Sequence, residues 1–252
     1  MKIKRELWIL LILPITYTLI YNLKLDFVGP YLVEDGLVES IGAVAFLVAS
    51  VVFIYLFFKY TDKEFAFFGR STKRNIYFLL LGILFFLAFG EEISWGQRIF
   101  GWSTPDSFGD INAQKETNIH NLWIFQGYKK DGTQKTFFEN MLNFNRLFNI
   151  FWFLFCVITP ILTYASNKFK RLIRFIGIPI VPLWIGSFFM LNYIVFLIGI
   201  NMDDVNDYVT GHNYTNGFDE LKETFYAIGF AILSLFFFKQ RKLQKLKTPD
   251  PV

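Results

Sequence analysis

GLVESIGAVAFLVASVVFIYLFF, residues 36–58, carries one charged side chain, Glu39, in 23 consecutive positions. As a helix at 1.5 Å per residue it is about 35 Å long, enough to cross the hydrocarbon of a bilayer. A run so evenly apolar has no polar face to turn to water, which sets it apart from the amphipathic helix of a soluble domain. Working outward, comparable runs occupy about 7–23, 75–91, 147–165, 176–200 and 220–238. The expected fold is therefore all-α, a polytopic membrane helix bundle of about six transmembrane helices in a single domain, 1–252. A partly helical outer loop is expected at about 93–146. Composition agrees, with 54% hydrophobic and only 18% charged residues, where a soluble domain carries about 25%.

Charge placement fixes the expected orientation. Lys2, Lys4, Arg5, Lys59, Lys63, Arg70, Lys73, Arg74, Lys168, Lys170, Arg171, Arg174, Lys239, Arg241, Lys242, Lys245 and Lys247 make up 17 of the 25 basic residues. All fall on one side of a six-span arrangement, which places both termini in the cytoplasm by the positive-inside rule. The net charge of +4 is thus a topology signal, and nucleic acid is not an expected partner. No small-x-small site follows the first run, so it reads as a retained anchor. Cys156, the one cysteine, leaves no intrachain disulfide to form.

The acidic residues segregate the other way. Only Glu6, Asp62, Glu64 and Asp250 of the 21 lie on the cytoplasmic side, although acidic residues contribute little to orientation. Glu34, Asp35 and Glu39 begin the second span, Glu91 and Glu92 end the third, Asp203 and Asp204 end the fifth, and Glu220 and Glu223 begin the sixth. Carboxylates converging at one depth must bind cations, pair with bases or hold protons. Asp35-Gly36-Leu37-Val38-Glu39-Ser40 and Asp219-Glu220-Leu221-Lys222-Glu223-Thr224 are alike enough to suggest paired helices. Equally, an acidic first turn favours any helix N-terminus.

The densest polar stretch is Gly90-Glu91-Glu92-Ile93-Ser94-Trp95-Gly96-Gln97-Arg98. Arg98 shares a helical face with Glu91 if the helix continues through it. In Asn112-Ala113-Gln114-Lys115-Glu116-Thr117-Asn118-Ile119-His120-Asn121, helical spacing would stripe Asn112, Glu116 and His120 along one face. The alternative for that segment is a solvated loop whose amides bond neighbouring backbone. Glu91, Glu92, Glu116 and His120 are the candidate catalytic acids and bases. Arg98, Gln97, Trp95, Asn112, Asn118 and Asn121 are the candidate substrate contacts. Glu39, Glu92, Glu116, His120 and Glu223 are the candidate ligands of a divalent metal ion. No phosphate-binding glycine loop, His-Glu-x-x-His pair or Gly-x-Ser-x-Gly elbow is present.

Glu91-Glu92-Ile93-Ser94-Trp95, followed by His120 and then by His212 with Asn216 four residues on, resembles the motif order of the CAAX-protease and bacteriocin-processing intramembrane proteases. That resemblance implies paired glutamates and two histidines around a hydrolytic water. The chain departs from it at Arg98, two places too far along, and at Glu116, where an aromatic residue is expected. The longer pattern from Glu91 through Gln97-Arg98, Thr104-Pro105 and Asn118-Ile119-His120-Asn121 is similar to a group of uncharacterised bacterial six-span membrane proteins. It implies a shared fold with an outer-face site and no particular activity, and the expected location is the bacterial plasma membrane. The expected function is a membrane-embedded hydrolase or transferase acting on a lipid, lipid-linked or membrane-peptide substrate at the outer face. A cation- or proton-coupled carrier and a non-catalytic scaffold are the alternatives.

Overall fold

A computed structural model describes residues 5–23, 25–32, 36–60, 64–210 and 215–247. The chain is mostly helical. Helices α1 (Arg5–Asn22), α2 (Leu25–Leu32) and α3 (Leu37–Lys59) lead into a two-stranded hairpin, β1 (Phe65–Phe67) and β2 (Arg70–Thr72). Helix α4 (Ile76–Glu92) leads to a cap holding only short helices, α5 (Gln97–Phe100) and α6 (Asp106–Gly109). Helices α7 (Phe144–Trp152) and α8 (Thr159–Ala165) are joined by a π-helical turn over Phe153–Ile158. They are followed by α9 (Asn167–Ile176), α10 (Leu183–Thr210) and α11 (Thr215–Lys247).

Among the described residues four segments are long and apolar enough to cross a membrane: Phe27–Lys59, Phe144–Ala165, Leu183–Met202 and Gly217–Leu243. The apolar stretch Trp8–Asn22 of α1 is shorter, and α4 has 17 residues, about 26 Å. Apolar side chains such as Ile15 and Leu19 on α1, Leu80 and Ile83 on α4, and Ile194 and Ile198 on α10 stand exposed. An apolar surface of that extent suits contact with lipid.

Inside, small residues let helices approach. The Ser50 hydroxyl donates to the Gly82 carbonyl at 2.8 Å, and that of Thr224 to the Val38 carbonyl at 2.8 Å. These contacts join α3 to α4 and α11, the close small-residue packing expected between membrane helices. Aromatic rings fill the rest of the core, with Phe85 and Phe230 at 4.5 Å and Phe189 and Phe230 at 4.7 Å between centroids.

The π-helical turn has a local cause. Pro160 has no N–H to give the Cys156 carbonyl. Gly186 of α10 leaves room for that carbonyl, since a Cβ there would sit 2.3 Å from it.

One boundary differs from the sequence expectation. The fifth span does not begin at 176, because Gly177, Pro179 and Pro182 interrupt the helix and α10 starts at Leu183. The residues before the break form α9 instead, a basic amphipathic helix capped by Ser166, which accepts from the Phe169 N–H at 3.3 Å. Lys168, Lys170, Arg171 and Arg174 alternate with apolar residues there, the pattern of a helix lying along an interface.

Candidate functional site: a cap closed on Glu91

Helix α4 ends in a turn that the sequence does not announce. Ser94, Trp95 and Gly96 all take left-handed backbone conformations, with φ of 45°, 53° and 88°. Two consecutive non-glycine residues in this region are costly and persist only where their surroundings hold them. Here the surroundings are visible. The Trp95 indole folds back over Gly90, where a Cβ would stand 2.9 Å from the ring. Its Nε1–H donates to Glu91 Oε1 at 2.6 Å.

The other oxygen of Glu91 gathers the cap. Glu91 Oε2 accepts from the Ile119 N–H at 2.6 Å and the His120 N–H at 2.8 Å, and it faces His120 Nδ1 at 3.1 Å. A carboxylate only accepts, so the nitrogen facing it carries the proton. In the neutral ring this fixes the tautomer whose Nε2 has a free lone pair. Nε2 makes no hydrogen bond among the described residues, and the His120 side chain is 32% exposed.

Around this pair the polar side chains of the motif find one another. Ser94, fully buried, donates to Glu116 Oε2 at 2.9 Å, and Asn118 Nδ2 donates to the same oxygen at 2.7 Å. Gln97 Oε1 accepts from the Thr117 N–H at 2.7 Å and the Thr117 hydroxyl at 2.8 Å. Asn112 Nδ2 donates to the Asn118 carbonyl at 2.7 Å, and Asn121 donates to Gln114.

The helical stripe expected of Asn112, Glu116 and His120 is not formed. Residues 112–122 run as turns and bends, because Asn112 Oδ1 accepts from the Gln114 and Glu116 N–H groups at 3.0 and 3.3 Å. That is the side-chain competition with helix that asparagine favours. Nor does a helix carry Glu91 toward Arg98: α4 stops at Glu92, and the Arg98 side chain lies outside the described residues.

Glu92 belongs to a different group. It lies within electrostatic reach of Glu223 and Glu220 on α11 and Glu39 on α3, as well as of its neighbour Glu91. The five expected metal ligands are therefore not brought into one shell. Glu39, Glu92 and Glu223 lie in the bundle, whereas Glu116 and His120 are engaged in the cap. Among the described residues no three His, Cys, Asp or Glu side chains could hold a metal ion together. Glu34, Asp35 and His212 lie outside the described residues, as do the side chains of Asp203, Asp204 and Asn216.

No protein-family model, curated protein or solved structure matches the chain. Its chemistry is read from its own geometry. Of the residues that carry the protease resemblance, Glu91 and His120 meet.

Two features escape a reading by motif. Tyr17 on α1 donates through its hydroxyl to Asn192 Oδ1 at 3.2 Å, and Asn192 Nδ2 donates to the Lys222 carbonyl at 2.9 Å. Lys222 itself sits 2.5 Å from Asp219 and 4.3 Å from the centre of the Phe196 ring. Asn192 is a lone amide within an apolar run, which marks function or packing by default, whereas Lys222 sits among acidic residues whose pairing with it the sequence does not specify.

The cap's far edge offers a pH test. Lys129, 2.7 Å from Glu139, together with the Thr136 N–H and hydroxyl at 2.9 Å, holds the Glu139 carboxyl down at about 2. A pKa lowered on folding stabilises the fold above the ordinary carboxylate range, and that contribution is lost as pH falls through about 2. A carboxyl-resolved titration is expected to place Glu139 near 2 and to move it up toward 4.5 in Lys129→Ala. An ordinary midpoint in the wild type would show that the contact does not form.

Proposed function

We propose that the protein is a six-span bacterial plasma-membrane enzyme, with both termini in the cytoplasm and its working residues on the outer face. In this reading it is a hydrolase or transferase acting on a lipid, lipid-linked or membrane-peptide substrate. One observation carries the proposal: the contact between Glu91 Oε2 and His120 Nδ1, which leaves Nε2 able to take a proton. A carboxylate that orients an imidazole in this way supplies a general base for water or for a substrate hydroxyl. Glu91 is then a positioning residue, since its oxygens are already engaged by four donors. Ser94 is buried and acts in the scaffold.

The six-span count is supported by α1 and α4, which are apolar and pack into the same bundle, and by the basic residues at each inner end. The carrier reading is weaker because rings fill the inner half of the bundle. Phe78 and Phe237 lie 5.5 Å apart and Phe53 and Phe237 6.3 Å, where a polar route would have to pass.

The test compares membranes of cells expressing the wild type or His120→Gln at equal level. Lipids, lipid-linked saccharides and membrane-derived peptides are profiled by mass spectrometry. The wild type is expected to convert one of these classes. His120→Gln, which keeps a side chain able to donate to Glu91, is expected to convert none while melting at the wild-type temperature. Matching profiles from the two would end the enzyme reading.

A further inference from the structure

Beside the cap, between α7 and α10, lies a cavity of about 560 Å³, a volume typical of small-ligand sites. Its lining changes character along its length. Asn145, Arg146 and Asn149 come from the first turns of α7, and Phe153 follows seven residues after Arg146, about 10 Å farther along the axis. Met190 and Tyr193 of α10 face them.

We propose that this cavity binds an anionic phospholipid of the outer leaflet, with its phosphate on Arg146 and one acyl chain along Phe153 and Met190.

Charge is the first argument. Arg146 is half-buried and makes no ion pair among the described residues. Its guanidinium rests 4.7 Å from the centroid of the Phe137 ring. A half-buried guanidinium held over a ring is preset for a phosphate, which it can grip through two parallel N–H donors. None of the lining residues is acidic. The site therefore offers no anion to the ammonium of a zwitterionic headgroup but a cation to the phosphate, so an anionic lipid fits better.

Polarity is the second. Amides and a cation at one end, with Phe153 and Met190 at the other, match an amphiphile and not a free anion, which would leave the apolar end empty. The polar end belongs to the part of α7 that joins the cap, where an outer-leaflet phosphate would lie. The Phe144 ring, at the start of α7, is 5.8 Å from the His120 ring. The headgroup end thus lies beside the Glu91–His120 pair. That the bound lipid is also the substrate rests on the enzyme reading above, but its binding does not.

The full chain is reconstituted in vesicles of phosphatidylcholine containing a minority of phosphatidylglycerol, then released into mild detergent and weighed by native mass spectrometry. The wild type is expected to retain phosphatidylglycerol in preference to phosphatidylcholine. Arg146→Gln is expected to lower that retention by about tenfold, the effect of losing one charge-assisted contact. Met190→Trp, which fills the chain end and leaves the cation in place, is expected to lower it as well. Arg74→Gln, at the opposite membrane face, is expected to keep it, and excess inorganic phosphate is expected not to displace the lipid. Equal retention of the two lipids, unchanged retention in either cavity variant, an equal loss in Arg74→Gln, or release by inorganic phosphate would each overturn the proposal. The readout involves no turnover, so it fails or succeeds independently of His120 as a base.

Discussion

Glu91→Gln is expected to release the cap from α4 at a cost of about 3–5 kcal/mol. Four donors converge on the two oxygens of Glu91: the Trp95 indole, the Ile119 and His120 backbone N–H groups, and His120 Nδ1. A carboxylate satisfies them all because it only accepts. A carboxamide of the same shape brings its own N–H₂ to one end or the other. With the amide nitrogen toward Trp95, one buried donor is orphaned. With it toward the loop, three are. Each unsatisfied buried group costs about 1–3 kcal/mol, and the bonds lost are of the stronger, charge-assisted kind. The strained backbone at Ser94 and Trp95 loses its clamp in the same step, so the turn is expected to relax. Amide exchange should therefore quicken over residues 112–122 and hardly change in α3 and α11, while the melting temperature in detergent falls. Trp95→Phe removes one donor and leaves the acceptor, so its loss should be the smaller. If Glu91→Gln exchanged and melted like the wild type, the carboxylate would not be what holds the cap.

That expectation shows where the sequence was readable and where it was not. The long helices follow from composition, because a run such as 36–58 has only one solvent in which it is stable. The motif from Gly90 to Gln97 was conspicuous as carboxylates at bilayer depth, but its use depends on three left-handed residues in a row. Left-handed glycine is expected, whereas left-handed serine and tryptophan are not. The second carboxylate illustrates the same limit. Glu91 and Glu92 are adjacent in sequence, and a helix turns about 100° between them. One faces the cap and the other the acidic residues of α3 and α11. Between 112 and 121 the four-residue spacing was real, but asparagine side chains claimed the backbone N–H groups that a helix would have needed. Arg146 had no motif around it. It gains meaning from α10, 44 residues away at Met190, which no local pattern reveals.

Gly177→Ala separates the sequence expectation from the structure by the sign of its effect. In a span beginning at 176, Gly177 would be an ordinary helical residue, and alanine there would favour the helix by roughly 1 kcal/mol. In the structure Gly177 ends α9 with φ of 96°, its N–H donating to the Ile173 carbonyl at 2.8 Å. A Cβ on it would fall 1.8 Å from the Ala66 carbonyl oxygen of β1. Both partners are backbone, so no side chain can swing aside. The left-handed conformation alone costs alanine about 1 kcal/mol. Relieving the clash means moving the hairpin, which is tied to α9 by the Gly69 N–H on the Phe175 carbonyl at 2.9 Å. The Gly177 carbonyl also accepts from Asn75 Nδ2 at 3.0 Å, and Asn75 Oδ1 caps α4 by accepting from the Tyr77 N–H at 2.9 Å. A shift at Gly177 thus reaches the hairpin, α9 and the N-terminal end of α4 together. The expected loss is about 3–5 kcal/mol, at the upper end for a single substitution. It should appear as a lower melting temperature and faster proteolysis between α3 and α4. A stabilised Gly177→Ala variant would instead mean that the helix runs on through 177, and that α9 and α10 are one.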